Sequence, residues 1–336
     1  MQAIVLRELG EASNLRLEEV PDPQPARNEV VVRLKAAALN HRDVWIRRGL
    51  YAGIHLPIIL GSDGAGEVFA TGERVDPGLK GRAVVILPSL NWGTDERAPG
   101  PDFKILGLPD NGTYAQFVKV PASNVFPKPE PLSFEEAAAV PLASLTAYRA
   151  LVTRAHVQAG ETVLITGIGG GVSGFALQIA KMLEARVLVT SGSEAKLARA
   201  REMGADGGAN YHSQDWGKEI VALANGQGPD VVIDSVGGKT FEKAFEIVRS
   251  GGRIVTYGAT TGPANHVEIR RIFWKQLDIL GSTMGNAKEF EAVFELYRRG
   301  GLRPIVDQVL PLSAAAIAHR RMEAAEQFGK IVLKIE

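Results

Sequence analysis

The chain has no cysteine among its 336 residues, which excludes disulfides, thiolate metal sites and a cysteine nucleophile. It also lacks an excess of either charge, with 38 Lys and Arg against 38 Asp and Glu. No global field draws in nucleic acid or an anionic membrane, so neither is expected as a partner. No apolar run reaches membrane-spanning length. The opening Met1-Gln2-Ala3-Ile4-Val5-Leu6 enters a strand pattern without a basic leader or small-residue cleavage site, and the expectation is a cytoplasmic protein. The histidines His41, His55, His156, His212, His266 and His319 show no metal-like pairing. What the chain does have is length and apolar content, 45% of residues being hydrophobic, enough for two domains that each bury a core.

The most informative stretch is Val163-Leu164-Ile165-Thr166-Gly167-Ile168-Gly169-Gly170-Gly171-Val172-Ser173-Gly174. A β-branched run enters a glycine cluster, and Phe175, Ala176, Ile179, Ala180 and Leu183 then recur at helical spacing. The order strand, glycine turn, helix suits a pyrophosphate. Glycines let the backbone turn tightly and approach closely, and the exposed N–H groups of a helix start favour negative charge. Gly169, Gly170, Gly171 and Val172 are therefore the expected phosphate contacts.

Residues 1–124 read as short strands at 3–6, 29–37, 64–70, 82–86 and 114–119 separated by Gly, Pro and Asn, a pattern of a compact, mostly antiparallel barrel. Asn40 reads as an N-cap opening a short helix. Residues 88–112 form a long irregular insertion, of the kind that serves as a lid or interaction surface. Beyond residue 131 the pattern changes to buried strands at 162–166, 186–190, 209–211, 230–236, 252–258 and 278–283, alternating with helices at 175–184, 195–203, 216–224 and 241–248. This alternation predicts an α/β fold with a six-stranded parallel sheet covered on both faces. A helix at 289–299 and strands at 306–310 and 331–335 resemble the first part again. The expected division is a domain of residues 1–125 completed by 286–336, and a nucleotide-binding domain of residues 126–285.

In a dinucleotide fold the second strand ends near the adenosine ribose, where an acid accepts from the hydroxyls of NAD. Here that strand runs into Ser191-Gly192-Ser193-Glu194-Ala195-Lys196, with Ser191 at the acid's position. Hydroxyls of Ser191 and Ser193 and the cation of Lys196 suit the 2′-phosphate of NADP(H). Ser193 also reads as an N-cap, whereas Lys196 in a first helical turn opposes the macrodipole and calls for a nearby anion. Tyr211 follows the third strand and could stack on adenine or reach the phosphate side. Ser235, Val236, Gly258, Ala259, Thr260, Ser282 and Thr283 lie at strand ends, where open α/β sheets bind ligands.

Further motifs span almost the whole chain: Gly61-Ser62-Asp63-Gly64-Ala65-Gly66, Glu135-Glu136-Ala137-Ala138-Ala139-Val140-Pro141, Thr146-Ala147-Tyr148-Arg149-Ala150-Leu151, Gln178-Ile179-Ala180-Lys181 and Gly329-Lys330-Ile331-Val332-Leu333. Together with the glycine turn they resemble the medium-chain dehydrogenase/reductase superfamily. The resemblance implies a Rossmann domain plus a GroES-like, mostly β catalytic domain, with Thr146 among the nucleotide contacts and a homodimer joined through a sheet edge of the nucleotide domain. The turn departs from the family's pattern, with Ser173 at the usual third glycine and Ile168 at the first. The positions that hold catalytic zinc ligands in zinc members hold Asn40, Ser62 and Leu142, and the insertion that holds structural zinc has no cysteine, so no metal is expected.

Leu39-Asn40, Asp43 and Gly49-Leu50-Tyr51 instead resemble the zinc-independent quinone oxidoreductases and enone reductases. The resemblance implies that Asn40 and Tyr51 face the substrate and nicotinamide, with Trp45 at an often aromatic position. Without a Lewis acid, a conjugated acceptor is the easier substrate, because its enolate or quinolate spreads the charge. The expected function is NADPH-dependent hydride transfer to a small electrophile, a quinone or α,β-unsaturated carbonyl. An alcohol dehydrogenase-like carbonyl reductase is the alternative within the superfamily. A non-catalytic, NADPH-binding structural or RNA-associated protein is the alternative outside catalysis.

Overall fold

The structure, a computed structural model, describes every residue from Met1 to Glu336. The chain forms two compact units. One comprises Met1–Leu142, Gly285–Arg298 and Arg303–Glu336, the other Ala143–Met284 and Arg299–Leu302. The first unit therefore runs past residue 125, and the helix Phe134–Ala138 packs on its strands Glu29–Ala38 and Asp63–Thr71. No helix is long and apolar enough to cross a membrane.

The second unit is built on a six-stranded parallel sheet in the order Gly207–Asn210, Arg186–Ser191, Thr162–Ile165, Val231–Asp234, Arg253–Thr256, Asp278–Gly281. Val163, Leu164, Ile165, Val187, Leu188, Val189, Val231, Val232 and Ile233 are all fully buried. Strands apolar on both faces need helices on both sides, and the helices that alternate with them supply that cover. Because every pairing is parallel, the carboxyl ends of all six strands lie along one edge. The strand order reverses beside Thr162–Ile165, where such sheets hold their ligands.

The first unit is mostly antiparallel, as its short alternating strands require. Its seven-stranded sheet runs Val125–Pro127, Ala83–Ile86, Asp63–Thr71, Glu29–Ala38, Lys330–Lys334, Val306–Pro311, with Phe117–Pro121 also paired to Glu29–Ala38. The C-terminal strand thus lies in the interior of the sheet, antiparallel to Glu29–Ala38 with Val332 opposite Ala38. A second sheet joins Leu15–Glu19, Gln2–Leu6 and Ile58–Ile59. The insertion at 88–112 is ordered around the small ladder Ser89–Leu90 with Lys104–Ile105, and Trp92 packs edge-on against Phe103 at 5.3 Å.

Candidate functional site

At the centre of the second unit's carboxyl edge, the helix begins at Gly171 and runs to Met182. This is four residues before the first apolar position of its stripe, so the glycine cluster is its first turn. Gly170 is the N-cap and has no side chain to offer. The amides of Gly171, Val172 and Ser173 precede the first helical bond, from Gly174 N to Gly170 O at 3.1 Å, and such uncapped donors favour an anion. Ser173 tolerates the glycine-like position because its hydroxyl turns back onto Gly170 O at 3.0 Å. Gly169 sits at φ 121°, a conformation that disfavours a side chain.

At the second strand's end, Ser191 is buried and its Oγ accepts from Ser193 N at 3.2 Å. Ser193 caps the next helix by accepting from Lys196 N at 3.4 Å. The amine of Lys196 leaves that helix and lies on the glycine turn: a Cβ built on Gly169 would stand 2.8 Å from Lys196 Cδ and 3.2 Å from Nζ. Lys196 therefore spans from the end of the second strand to the glycine turn. Gly192 lies under two further polar groups, since a Cβ there would meet His212 Nε2 at 2.6 Å and Tyr211 OH at 2.8 Å. The acid of this region, Glu194, is held by Asn210 Nδ2 at 2.8 Å. Ser191, Ser193, Lys196 and Tyr211 are brought together, and His212 is a further neighbour to which the sequence assigned no role at this site.

The remaining strand-end residues follow along the same edge. Thr260 N and Oγ1 donate to Ser235 O at 3.0 and 2.9 Å, and Thr261 N donates to Val236 O at 2.8 Å. These bonds stitch the loops that carry Ser235, Val236, Gly258, Ala259 and Thr260. Asp234, fully buried beneath them, accepts from Thr166 Oγ1 at 2.7 Å and Gly237 N at 3.0 Å. Burial pushes its carboxyl pKa up, against the pull of those donors. Ser282 N donates to Thr256 O at 2.9 Å, with Thr283 beside it exposed. Thr146 is buried in the helix Pro141–Tyr148, before the sheet begins.

In the first unit Asn40 belongs to a buried polar cluster, Tyr51 touches it through Arg42, and Trp45 stands apart from it. The helix His41–Arg47 starts at the N-cap Asn40. Asp43 Oδ2 accepts from Asn40 N and Tyr114 OH, each at 2.8 Å. Burial raises the Asp43 carboxyl, opposed chiefly by the Arg42 charge, and it pushes the Tyr114 hydroxyl well up, so Tyr114 is a neutral donor. The Asn40 carboxamide points elsewhere: Nδ2 donates to Asp63 Oδ2 at 3.0 Å, and Oδ1 accepts from Lys330 Nζ at 2.7 Å. Lys330, 3% exposed, also meets Asp63 Oδ2 at 2.9 Å, and Asp63 Oδ1 accepts from Leu142 N at 2.8 Å. Arg42 Nη1 donates to Ser62 Oγ at 2.7 Å, and its guanidinium lies over the half-buried Tyr51 ring at 5.2 Å. Trp45 is half-buried, edge-on to the His41 ring at 6.4 Å.

Comparison with known proteins bears on both units. The alcohol dehydrogenase GroES-like domain matches residues 26–130, and the zinc-binding dehydrogenase family matches residues 171–299. A zinc-type alcohol dehydrogenase-like protein, YogA of Leptosphaeria maculans (strain JN3), is 34% identical over 96% of this chain and 94% of its own length. The chain belongs to the medium-chain dehydrogenase/reductase superfamily. It is an oxidoreductase fold of the nicotinamide-binding type. The crystal structure of a NAD-dependent alcohol dehydrogenase superposes with a TM-score of 0.96 at 44% identity, covering all of both chains. The structure of the 2-octenoyl-CoA carboxylase reductase CinF, in complex with NADP and 2-octenoyl-CoA, superposes with a TM-score of 0.88 at 29% identity over 99% of this chain and 87% of its own.

A zinc ion is implied by the name of one matched family, and this member's residues do not fit one. Of the three positions that hold catalytic zinc ligands in zinc-bearing members of the superfamily, Asn40 is engaged by Lys330 and Asp63, Ser62 Oγ accepts from Arg42, and Leu142 offers only its backbone N–H, already given to Asp63. A buried ammonium and a guanidinium there repel a dication. No group of three or more His, Asp or Glu is arranged to hold a metal. The sequence reading missed Lys330 and Asp63 as members of this cluster. One signal was available: a lysine opening the otherwise apolar Lys330-Ile331-Val332-Leu333 is anomalous, because a buried lysine needs an anion.

Proposed function

We propose that the protein is a zinc-independent, NADPH-dependent reductase of conjugated acceptors, quinones or α,β-unsaturated carbonyls. The observation that carries this reading is that the superfamily's metal-ligand positions are spent on hydrogen bonds within the protein, Asn40 with Asp63 and Lys330, Ser62 with Arg42, and Leu142 N with Asp63. The nicotinamide supplies the hydride when bound. The second Nδ2 hydrogen of Asn40 and the Tyr51 hydroxyl then donate to the acceptor oxygen, where negative charge collects as the hydride arrives at the conjugated carbon. The enolate or quinolate takes its proton from water. Trp45 packs the substrate's ring or chain. Holding the two reactants together is worth roughly 7 kcal/mol or more of the barrier.

The preference for NADPH rests on Ser191, Ser193, Tyr211 and the Lys196 amine at the ribose end, with Glu194 tied to Asn210. The NADP-bound relative supports the same choice. A carbonyl reductase using NADH is the second reading, favoured by the resemblance to a NAD-dependent alcohol dehydrogenase. We also assign a homodimer, joined through the exposed edge strand Asp278–Gly281.

The test is a panel of 1,4-benzoquinone, 2-cyclohexen-1-one, acryloyl-CoA and simple aldehydes with NADPH and NADH, run with and without a chelator. Turnover of a conjugated acceptor with NADPH, indifferent to chelation, is the expected result. Aldehyde reduction abolished by a chelator and restored by zinc would overturn it.

A further inference from the structure

The Asn40 carboxamide is gripped by opposite charges. Its oxygen faces the Lys330 ammonium at 2.7 Å, and its nitrogen faces the Asp63 carboxylate at 3.0 Å. Rotating the amide by half a turn would set N–H against N–H and oxygen against oxygen, so the charges fix the orientation that the geometry of an amide alone leaves open. The grip is itself held. Lys330 and Asp63 bond directly at 2.9 Å, and Leu142 N anchors the second carboxylate oxygen at 2.8 Å. All of these groups are buried, Lys330 being 3% and Asp63 0% exposed, so the charges act at low dielectric, where a misoriented dipole is costly. One amide hydrogen of Asn40 is taken by Asp63. The other is left in a fixed direction, which is what a group stabilising a developing oxyanion requires.

We propose that Lys330 is a positioning residue: with Asp63 as counter-charge, it locks Asn40 as a hydrogen-bond donor to the substrate oxygen. A fixed cation thereby sits beside a donor, Asn40, that occupies one of the positions where the zinc-bearing members hold their metal. Lys330 acts through Asn40 and does not touch the substrate. This inference rests on the reading of Asn40 as a substrate donor, and the experiment separates the two.

The experiment is a double-mutant cycle with Lys330→Met and Asn40→Ala, measuring kcat and KM for 2-cyclohexen-1-one with NADPH. Thermal unfolding and the NADPH dissociation constant report that each variant is folded. Lys330→Met is expected to lower kcat roughly 10- to 100-fold with NADPH affinity unchanged. In the Asn40→Ala background the same change should cost less than about 2-fold, because the group it orients is gone. Lys330→Arg, which keeps a donor and the charge, should recover part of the loss. Should Lys330→Met not fold, Lys330→Gln carries the same cycle, since its amide still donates to Asn40 without the charge. If Asn40→Ala leaves kcat unchanged, the reading of Asn40 as a donor is wrong. If Asn40→Ala lowers kcat but the two effects multiply, or if a folded Lys330→Met or, in its place, Lys330→Gln variant keeps full kcat, Lys330 has only a structural role and this inference is overturned.

Discussion

His319 is fully enclosed in the first unit, with Arg47 Nε donating to its Nδ1 at 3.4 Å and the Tyr114 ring edge-on at 6.0 Å. Burial, reinforced by the Arg47 charge, pushes its pKa down to about 3. The folded imidazole therefore stays neutral over a range in which the unfolded one gains a proton. The unfolded chain binds more protons between roughly pH 6.5 and 3, so stability rises with pH there. It is fully present above about pH 6.5 and is lost as pH falls towards 3, by an amount on the order of 5 kcal/mol. His319→Gln, which keeps an acceptor for Arg47 without a titrating group, should flatten the acid limb of urea midpoints measured from pH 7.5 to pH 4. An unchanged limb would assign acid sensitivity to other groups. The nucleotide end offers a second prediction. Ser191→Asp sets a carboxylate beside the place assigned to the 2′-phosphate and should lower the ratio of kcat/KM for NADPH over NADH by roughly 10- to 100-fold. A ratio within 2-fold of the original would contradict the NADPH assignment.

The helix Gly171–Met182 shows how far an element can be read from its residues. Apolar periodicity from Phe175 onward marks the buried stripe, and it is silent about the glycines, which have no side chain to bury. The sequence therefore places the start at 175, while the hydrogen bonds place it at Gly171 and make the glycine cluster the helix's donor end. The inner strands of the parallel sheet were legible because they are apolar runs bounded by turn residues, while the edge strand Gly207–Asn210, Gly-Gly-Ala-Asn, was legible mainly from its place in the alternation with helices. The strand Leu15–Glu19 was not, since most of it is exposed and lacks that contrast. Long-range side-chain pairing was invisible for a different reason. Asn40 and Asp63 meet a lysine 290 and 267 positions away, and no local pattern encodes that distance. The same element carries a prediction. Gly169→Ala would place a methyl group 2.8 Å from Lys196 Cδ at φ 121°. Backbone strain of about 1–2 kcal/mol should lower the thermal midpoint, and displacement of Lys196 should raise KM for NADPH more than it changes kcat. Unaltered KM with a lowered midpoint would remove Lys196 from the cofactor site.

Each unit finishes its own core differently, and the difference bears on assembly. The first unit closes its sheet by inserting the C-terminal strand Lys330–Lys334 between Glu29–Ala38 and Val306–Pro311. The parallel sheet of the second unit stops at Asp278–Gly281, which pairs only with Arg253–Thr256 and leaves its other edge open. Ile279 on that strand is exposed, and the helix Ile269–Lys275, two residues upstream, exposes Ile269, Phe273 and Trp274, the last at 83%. Proteins guard open edges with charge, bulges or a covering element; this edge has one charge, Asp278 at its start, and an unbulged pairing, and the helix beside it presents Ile269, Phe273 and Trp274 among Arg270, Arg271 and Lys275. A second copy of the same edge, related by a twofold axis, would pair antiparallel with the first, extend the sheet and bury the apolar residues of both copies. The wild-type chain should accordingly elute with the mass of a dimer in light-scattering chromatography. Ile279→Lys with Trp274→Glu puts charge on the strand and helix without entering either core, and should yield a folded monomer that still binds NADPH, because the glycine turn and Lys196 lie on other elements. A wild-type monomer, or a dimer that survives both substitutions, would show that this edge is not the interface.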